Sequence, residues 1–302
     1  MTLMRSKLFV PGSRPELFDK ALASDADGLS FDLEDAVAEP RKAEARAALQ
    51  ALLERADTHR HGKVLVVRVN ALATPHFEAD IAAVVRTGLA MVNLPKPADA
   101  DAVRAASEAI GRIERRQGIK TPVGLLLNIE TPSALRNAAA LAMADPRVCG
   151  LQLGLGDLFE PLDIHRRETA AIQHAMFAVR LAAGEAGVPA WDSALADFSD
   201  PEIFRAEAAM ARRFGFAGKS CIHPKQVALA NEAFRPTAAE IQQALKVLEA
   251  AQSAAADGVG AWVVDGKMVD APFVMRARGI VAMAQRLGIV PTAVGESAGE
   301  RP

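Results

Sequence analysis

Short apolar runs rich in Val, Ile and Leu alternate along this chain with longer Ala-, Glu- and Arg-rich stretches in which apolar residues return at helical spacing. The first kind of segment reads as a buried strand and the second as a helix covering it, which together predict a parallel sheet with crossover helices. Strands are predicted at 7–10, 28–33, 64–69, 91–94, 123–129, 148–153, 189–192 and 218–222. Helical patterns follow them at about 15–23, 41–55, 77–87, 98–116, 132–143, 166–186, 201–214 and 224–230. Eight strand–helix units in roughly 230 residues suit an α/β chain closed into a (β/α)8 TIM barrel, whose usual size is about 250 residues. A doubly wound sheet is the alternative architecture.

After the barrel, predicted over residues 1–234, the texture changes. Residues 235–290 hold a helical pattern at 237–255, the stretch AWVVDGKMVDAP and a final helical pattern at 273–287, a C-terminal helix-hairpin-helix extension. The pair Asp265-Gly266 between two β-like runs is a strong hairpin signal. Such an extension is too small for an independent core, so it is expected to act as a lid packed on its own barrel or on a neighbouring subunit. Residues 291–302 lack apolar periodicity and are expected to form a disordered tail.

Composition narrows the function classes. The 302 residues are half hydrophobic with a formal net charge of −2, which suits neither a nucleic-acid surface nor an acidic tail. The two cysteines, Cys149 and Cys221, lie inside apolar runs, so buried thiols of a cytoplasmic protein are expected rather than disulfides or a zinc site. There is no secretory signal pattern at the start and no run of about 18 uncharged apolar residues, so neither export nor a membrane span is expected.

In parallel α/β folds chemistry sits at the carboxyl ends of strands, and there this sequence is rich in charge. Glu130 and Asp157 close the fifth and sixth runs. Two carboxylates without a Cys or His cluster suit a hard cation such as Mg²⁺, while a helix cap for Glu130 and a Gly turn for Asp157 are the structural alternative. Asp32, Glu34 and Asp35 end the second run, where a metal or a charge network with Arg41, Lys42, Arg46 or Arg68 would hold them together. Arg68 interrupts the third run and suits either an internal Glu34 or Asp35 partner or an anionic substrate. Gly12, Ser13 and Arg14 precede a helix start that can bind an anion or simply be capped by Ser13. Lys96 in NLPKP reads as a solvated charge at the mouth, Asp192 and Lys219 as rim residues, and His223 before a proline as a structural hydrogen-bonding residue.

The segments RSKLFVPGSRPELFDKAL, GLSFDLEDAV with KAEAR, VVRVNAL, NLPKP, NIETPSAL, LGLGDL, FGFAGKSCIHPKQV and GKMVDAPFVMRAR stand in order over about residues 5 to 285. They resemble the successive blocks of the HpcH/HpaI aldolase/citrate lyase family, with greatest similarity to citrate lyase β-subunit-like proteins and malyl-CoA and citramalyl-CoA lyases. The resemblance implies a Mg²⁺ ion and cleavage or formation of a carbon–carbon bond in a β-hydroxyacyl thioester. Carried over by position, it places metal ligands at Glu130 and Asp157 and a substrate-binding arginine at Arg68; Glu34 and, for a phosphate, Arg14 are further candidate substrate contacts read from their places near strand ends rather than from the family. It also implies an acid–base aspartate at Asp270, delivered by the lid to a neighbouring subunit of a homotrimer. The retained lid is the basis for expecting a CoA thioester rather than an acyl-carrier-protein substrate. Thioester hydrolysis, a citryl-carrier lyase subunit and a non-catalytic metabolite-binding barrel are the competing readings.

Overall fold

The computed structural model describes residues 3–256 and 260–289. Two compact units are present, Thr2–Phe234 and the segment from Arg235 onward. The expectation for 291–302 falls outside the described residues.

The first unit is a closed eight-stranded barrel in sequence order, every pairing parallel. Its strands are β1 (Ser6–Pro11), β2 (Gly28–Asp32), β3 (Val64–Arg68), β4 (Met91–Leu94), β5 (Gly124–Ile129), β6 (Val148–Leu153), β7 (Ala190–Asp192) and β8 (Gly218–Cys221). The helices are α1 (Phe18–Leu22), α2 (Lys42–Glu54), α3 (Phe77–Val84), α4 (Ala100–Gln117), α5 (Pro132–Arg136), α6 (Ala138–Ala142), α7 (Leu155–Phe159), α8 (Thr169–Glu185), α9 (Pro201–Arg213) and α10 (Pro224–Ala233). The single helix expected at 132–143 is split at Asn137, whose φ of −106° and ψ of 13° leave the helical region. Helix α4 shows the local logic of the outer ring. Asp99 accepts a bond from the Ala102 N–H at its start, Val103, Ala106, Ile110 and Ile113 form the buried stripe, and Gly118 at φ 68° ends it.

Alternate strand residues divide between two cores. Leu29, Phe31, Val67, Val92, Leu127 and Leu151 face the helices, while Met4, Val66, Met91, Leu126 and Trp191 fill the lumen floor. Trp191 donates its indole N–H to the Met4 carbonyl at 2.9 Å. A Cβ at Gly150 would lie 2.3 Å from the Trp191 ring, so glycine is required there.

Following the strand register, inward side chains stack in layers drawn from alternate strands. Above the layer of Lys7, Val66, Leu126 and Trp191 comes one that is wholly polar: Ser30, Asn93, Gln152 and Ser220. Lys7 Nζ, Ser30 Oγ, Asn93 Oδ1, Gln152 Oε1 and Ser220 Oγ are all buried without a hydrogen-bond partner from the protein. Barrel lumens are usually packed with branched apolar residues, so this polar storey is a distinctive feature of the interior.

The C-terminal unit contains α11 (Ala238–Ala256), an antiparallel pair β9 (Trp262–Val264) and β10 (Lys267–Val269), and α12 (Ala271–Arg286). Asp265 and Gly266 take φ values of 48° and 76°, the double left-handed turn expected of an Asp-Gly hairpin. Ala244, Val247, Val264, Val269, Val274 and Ala277 form its core. Among the described residues no helix is long and apolar enough to cross a membrane.

Candidate active site

The upper lumen and the strand ends above it bring Asp32, Glu34, Arg68, Lys96, Glu130 and Asp157 into one charged constellation. Pairing of β2 with β3 sets Asp32 directly beside Arg68. The guanidinium grips Asp32 with both arms, Nε to Oδ1 at 2.8 Å and Nη2 to Oδ2 at 2.6 Å. Asp32 also accepts from the backbone N–H groups of Glu34 and Ala36 at 2.9 and 3.0 Å. Burial disfavours its charge, but Arg68 and these N–H groups outweigh that and hold the carboxyl below the usual range. The third arm of Arg68 reaches Glu34 Oε2 at 3.0 Å, an ion pair without hydrogen-bond geometry. The principal partner of Arg68 is therefore Asp32, where sequence reasoning named Glu34 or Asp35.

Glu130, 2% exposed, stands just past the end of β5. The structure removes its structural alternative, because Thr131, not Glu130, caps α5 by accepting from the Ala134 N–H at 3.1 Å. Its carboxylate instead accepts from Asn128 Nδ2 at 3.0 Å and from the Lys96 backbone N–H at 3.2 Å. Asn93 fixes Asn128 in turn, Nδ2 to Oδ1 at 2.8 Å. Gly154 allows this approach, since a Cβ there would meet Glu130 Oε2 at 2.7 Å. Burial, then the charges of Glu34 and Asp157, push the Glu130 pKa up to about 7. Asp157 lies in the first turn of α7 rather than in a Gly turn, with 41% of its side chain open to solvent.

Lys96 is the residue that sequence reasoning undervalued. Its ammonium lies 2.9 Å from Glu34, 3.4 Å from Asp35 and 3.5 Å from Asp157, so it is no free loop charge. Burial pushes the Glu34 carboxyl up to about 7 against the pull of Arg68 and Lys96. Lys42, expected among the cations of this cluster, donates instead to the Leu33 and Glu34 carbonyls and Asn70, and Arg46 pairs with Asp80.

Other expectations are corrected. Asp192 and Lys219 are not rim residues: they pair at 2.6 Å, fully buried outside the lumen, with Lys219 also 3.0 Å from Glu207 on α9. Ser13 caps no helix: Arg14 holds the cap position of the 3₁₀ turn Pro15–Leu17 and Leu17 that of α1, neither with a side-chain cap bond. Arg14 is exposed and paired with Glu16. His223 is structural as expected, its ring accepting from the Lys225 N–H at 3.2 Å. Asp270 belongs to the C-terminal unit, at the cap position of α12. Its side chain makes no cap bond, and its Oδ1 is buried without a partner.

Among the described residues no three His, Cys, Asp or Glu side chains form a ready-made metal cage. Mg²⁺ does not need one, since it usually keeps several waters and binds through one or two carboxylates. The donors fit: a buried Glu130 whose charge is raised in cost by Glu34 and Asp157 is the setting that a divalent cation relieves.

A (β/α)8 barrel with convergent carboxylates, an arginine and a lysine at its strand ends defines a barrel enzyme acting at the carboxyl face. The family model for HpcH/HpaI aldolase/citrate lyase matches residues 5–224. Citrate lyase subunit beta of Escherichia coli is 37% identical over 287 residues, covering 94% of both chains. The L-malyl-CoA/beta-methylmalyl-CoA lyase of Cereibacter sphaeroides is 34% identical over 304 residues, covering 94% of this chain and 95% of its own. Protein CitE of Mycobacterium tuberculosis, solved with magnesium, acetoacetate and coenzyme A, matches with TM-score 0.72 and 33% identity, covering 93% of this chain and 97% of its own. This chain belongs to the HpcH/HpaI aldolase/citrate lyase family and is a carbon–carbon lyase. Because the citrate lyase match spans 94% of the chain, it includes most of the C-terminal unit. Relatives named citrate lyase subunit beta and relatives named malyl-CoA lyase both match across that unit, so its presence does not by itself separate the two.

Proposed function

We propose that this chain is a Mg²⁺-dependent lyase that cleaves or forms a β-hydroxyacyl-CoA thioester such as malyl-CoA or citramalyl-CoA, exchanging it with a 2-oxo acid and an acyl-CoA. The observation that carries the reading is the pair Glu130 and Asp157, neither of them used to cap a helix, with Glu130 buried at high electrostatic cost. These two residues would hold the ion, which when bound supplies Lewis-acid polarisation of the substrate oxygens. Arg68, locked by Asp32, presents a fixed positive charge that orients the substrate carboxylate. Glu34, held by Lys96, borders the same space and contributes to substrate placement. Asp270 has an uncommitted carboxylate suited to protonating the enolate carbon on cleavage, or removing that proton on condensation.

A cavity of about 500 Å³ beside β1 and α10 is lined by Phe9, Pro11, Leu17, Lys20, Ile222 and His223. Its apolar walls suit a pantetheine or adenine group, and Lys20 on its lining supplies charge for a phosphate, with Arg14 a second candidate phosphate contact. The domain arrangement we propose is a catalytic barrel at 1–234 and a lid at 235–290, exchanged between neighbours in a homotrimer. Exposed Val263, Met268, Phe273 and Met275 on the C-terminal unit support such an exchange. The likeness to citrate lyase subunit beta keeps a citryl-carrier lyase subunit, the alternative implied by the family resemblance, as the second reading.

A panel of β-hydroxyacyl-CoA thioesters and their carrier-protein counterparts, incubated with Mg²⁺, tests the reading through both products. A lyase releases a 2-oxo acid together with an acyl thioester. Free CoA with an intact hydroxy acid would identify a thioesterase, and binding without turnover a metabolite-binding barrel; either result overturns the proposal.

A further inference from the structure

Lys96 has a role in this site beyond neutralising loose acids, and its backbone shows why. It is held at φ 48°, a left-handed conformation rare for a non-glycine residue and disfavoured further by the following Pro97. Such a conformation persists only where the surroundings over-determine it. Here Pro95 and Pro97 flank the residue, its N–H bonds Glu130 at 3.2 Å, and its ammonium stands 3.5 Å from Asp157. One residue thus grips, with its two ends, both carboxylates assigned above to the divalent ion.

The cations of the cluster are not equivalent. Arg68 is committed to Asp32 by two short bonds and is buried, so it cannot redistribute its charge. Lys96 is about one-third exposed, bonds its acids through a single compact charge on a flexible stem, and is shared among Glu34, Asp35 and Asp157. It is the member of the cluster able to yield when a second cation approaches Asp157.

We propose that Lys96 is a tethered competitor of the divalent ion: its ammonium, held by Glu34 and Asp35, competes with the metal for Asp157 and sets metal affinity lower than the carboxylates alone would give. The idea rests on the metal-dependent reading above. Its consequence is that metal uptake is tied to displacement of Lys96 toward Glu34 and Asp35, where its charge still supports the substrate-facing side of the site.

The test is Mn²⁺ titration by electron paramagnetic resonance and Mg²⁺ titration by calorimetry, both without substrate, on wild type, Lys96→Met and Lys96→Gln. Circular dichroism verifies the fold of each. Both variants are expected to bind at least about tenfold tighter at low salt, the size expected of one unit charge several ångströms from a divalent ion even at the dielectric of water. The advantage should shrink at high ionic strength. Unchanged or weaker binding by both folded variants overturns the competitor role while leaving the metal site intact, and would mean that Lys96 only orients the acids. A wild type that binds neither ion overturns the metal-dependent reading itself.

Discussion

At the scale of the residue, the site is governed by how buried charges are paired. Asp32 and Arg68 are mutually satisfied, whereas burial pushes the carboxyls of Glu130 and Glu34 up to about 7. Lys7 is the most exposed to the same cost in the opposite sense. It is fully buried in the lumen with no protein hydrogen-bond partner, its amine 4.7 Å from the Phe9 ring centroid. Burial, and then the charge of Arg68, push its pKa down from 10.5 to about 7. Between those two values the unfolded chain binds a proton that the folded chain does not, so stability should rise with pH across that window. Lys7→Met removes the penalty: it should stabilise the barrel most below pH 7, by up to about 5 kcal/mol, with the advantage fading as pH approaches 10.5. Urea midpoints measured from pH 6 to pH 10 check this. Wild-type and variant curves running parallel would mean that the polar storey of Ser30, Asn93, Gln152 and Ser220 already solvates the ammonium.

At the scale of the element, strand ends and helix starts decide which acids are free to react. Thr131 takes the capping of α5, which releases Glu130, and Asp270 stands at the start of α12 without capping it. A cap aspartate that makes no cap bond gives up the usual stabilisation of about 1 kcal/mol, which fits a carboxylate kept for another partner. Asp270→Asn should therefore leave Mg²⁺ affinity and thermal stability close to wild type while lowering turnover by about a hundredfold or more. Loss of stability in step with turnover, or an unchanged rate of acyl-CoA release, would take Asp270 out of the mechanism.

At the scale of the whole molecule, all eight strands were legible, because each is a short apolar run bounded by turns and followed by a helical period. Glu130 and Asp157 were legible as candidates for the same reason: an acid that follows an apolar run lies at the carboxyl end of a strand, although strand parity then decides whether it faces the barrel mouth. Arg68 was legible as costly, but its partner Asp32 was not, since that depends on the β2–β3 register. Lys96 was missed because its contacts come from three distant segments, those holding Glu34, Glu130 and Asp157, and from a left-handed backbone, none of which has a periodic signature. Asp192 and Lys219 were misplaced because strand parity near β7 and β8 turns them toward α9. The central claim, that the barrel mouth breaks a carbon–carbon bond with a metal held by Glu130 and Asp157, is tested most directly by 2-oxo acid release from malyl- or citramalyl-CoA. Wild type and Asp157→Ala should be compared with saturating Mg²⁺ and with a chelator. The prediction is wild-type turnover that disappears on chelation, and a loss of at least about a hundredfold in folded Asp157→Ala even with Mg²⁺. Full turnover by Asp157→Ala in the chelated buffer would contradict it.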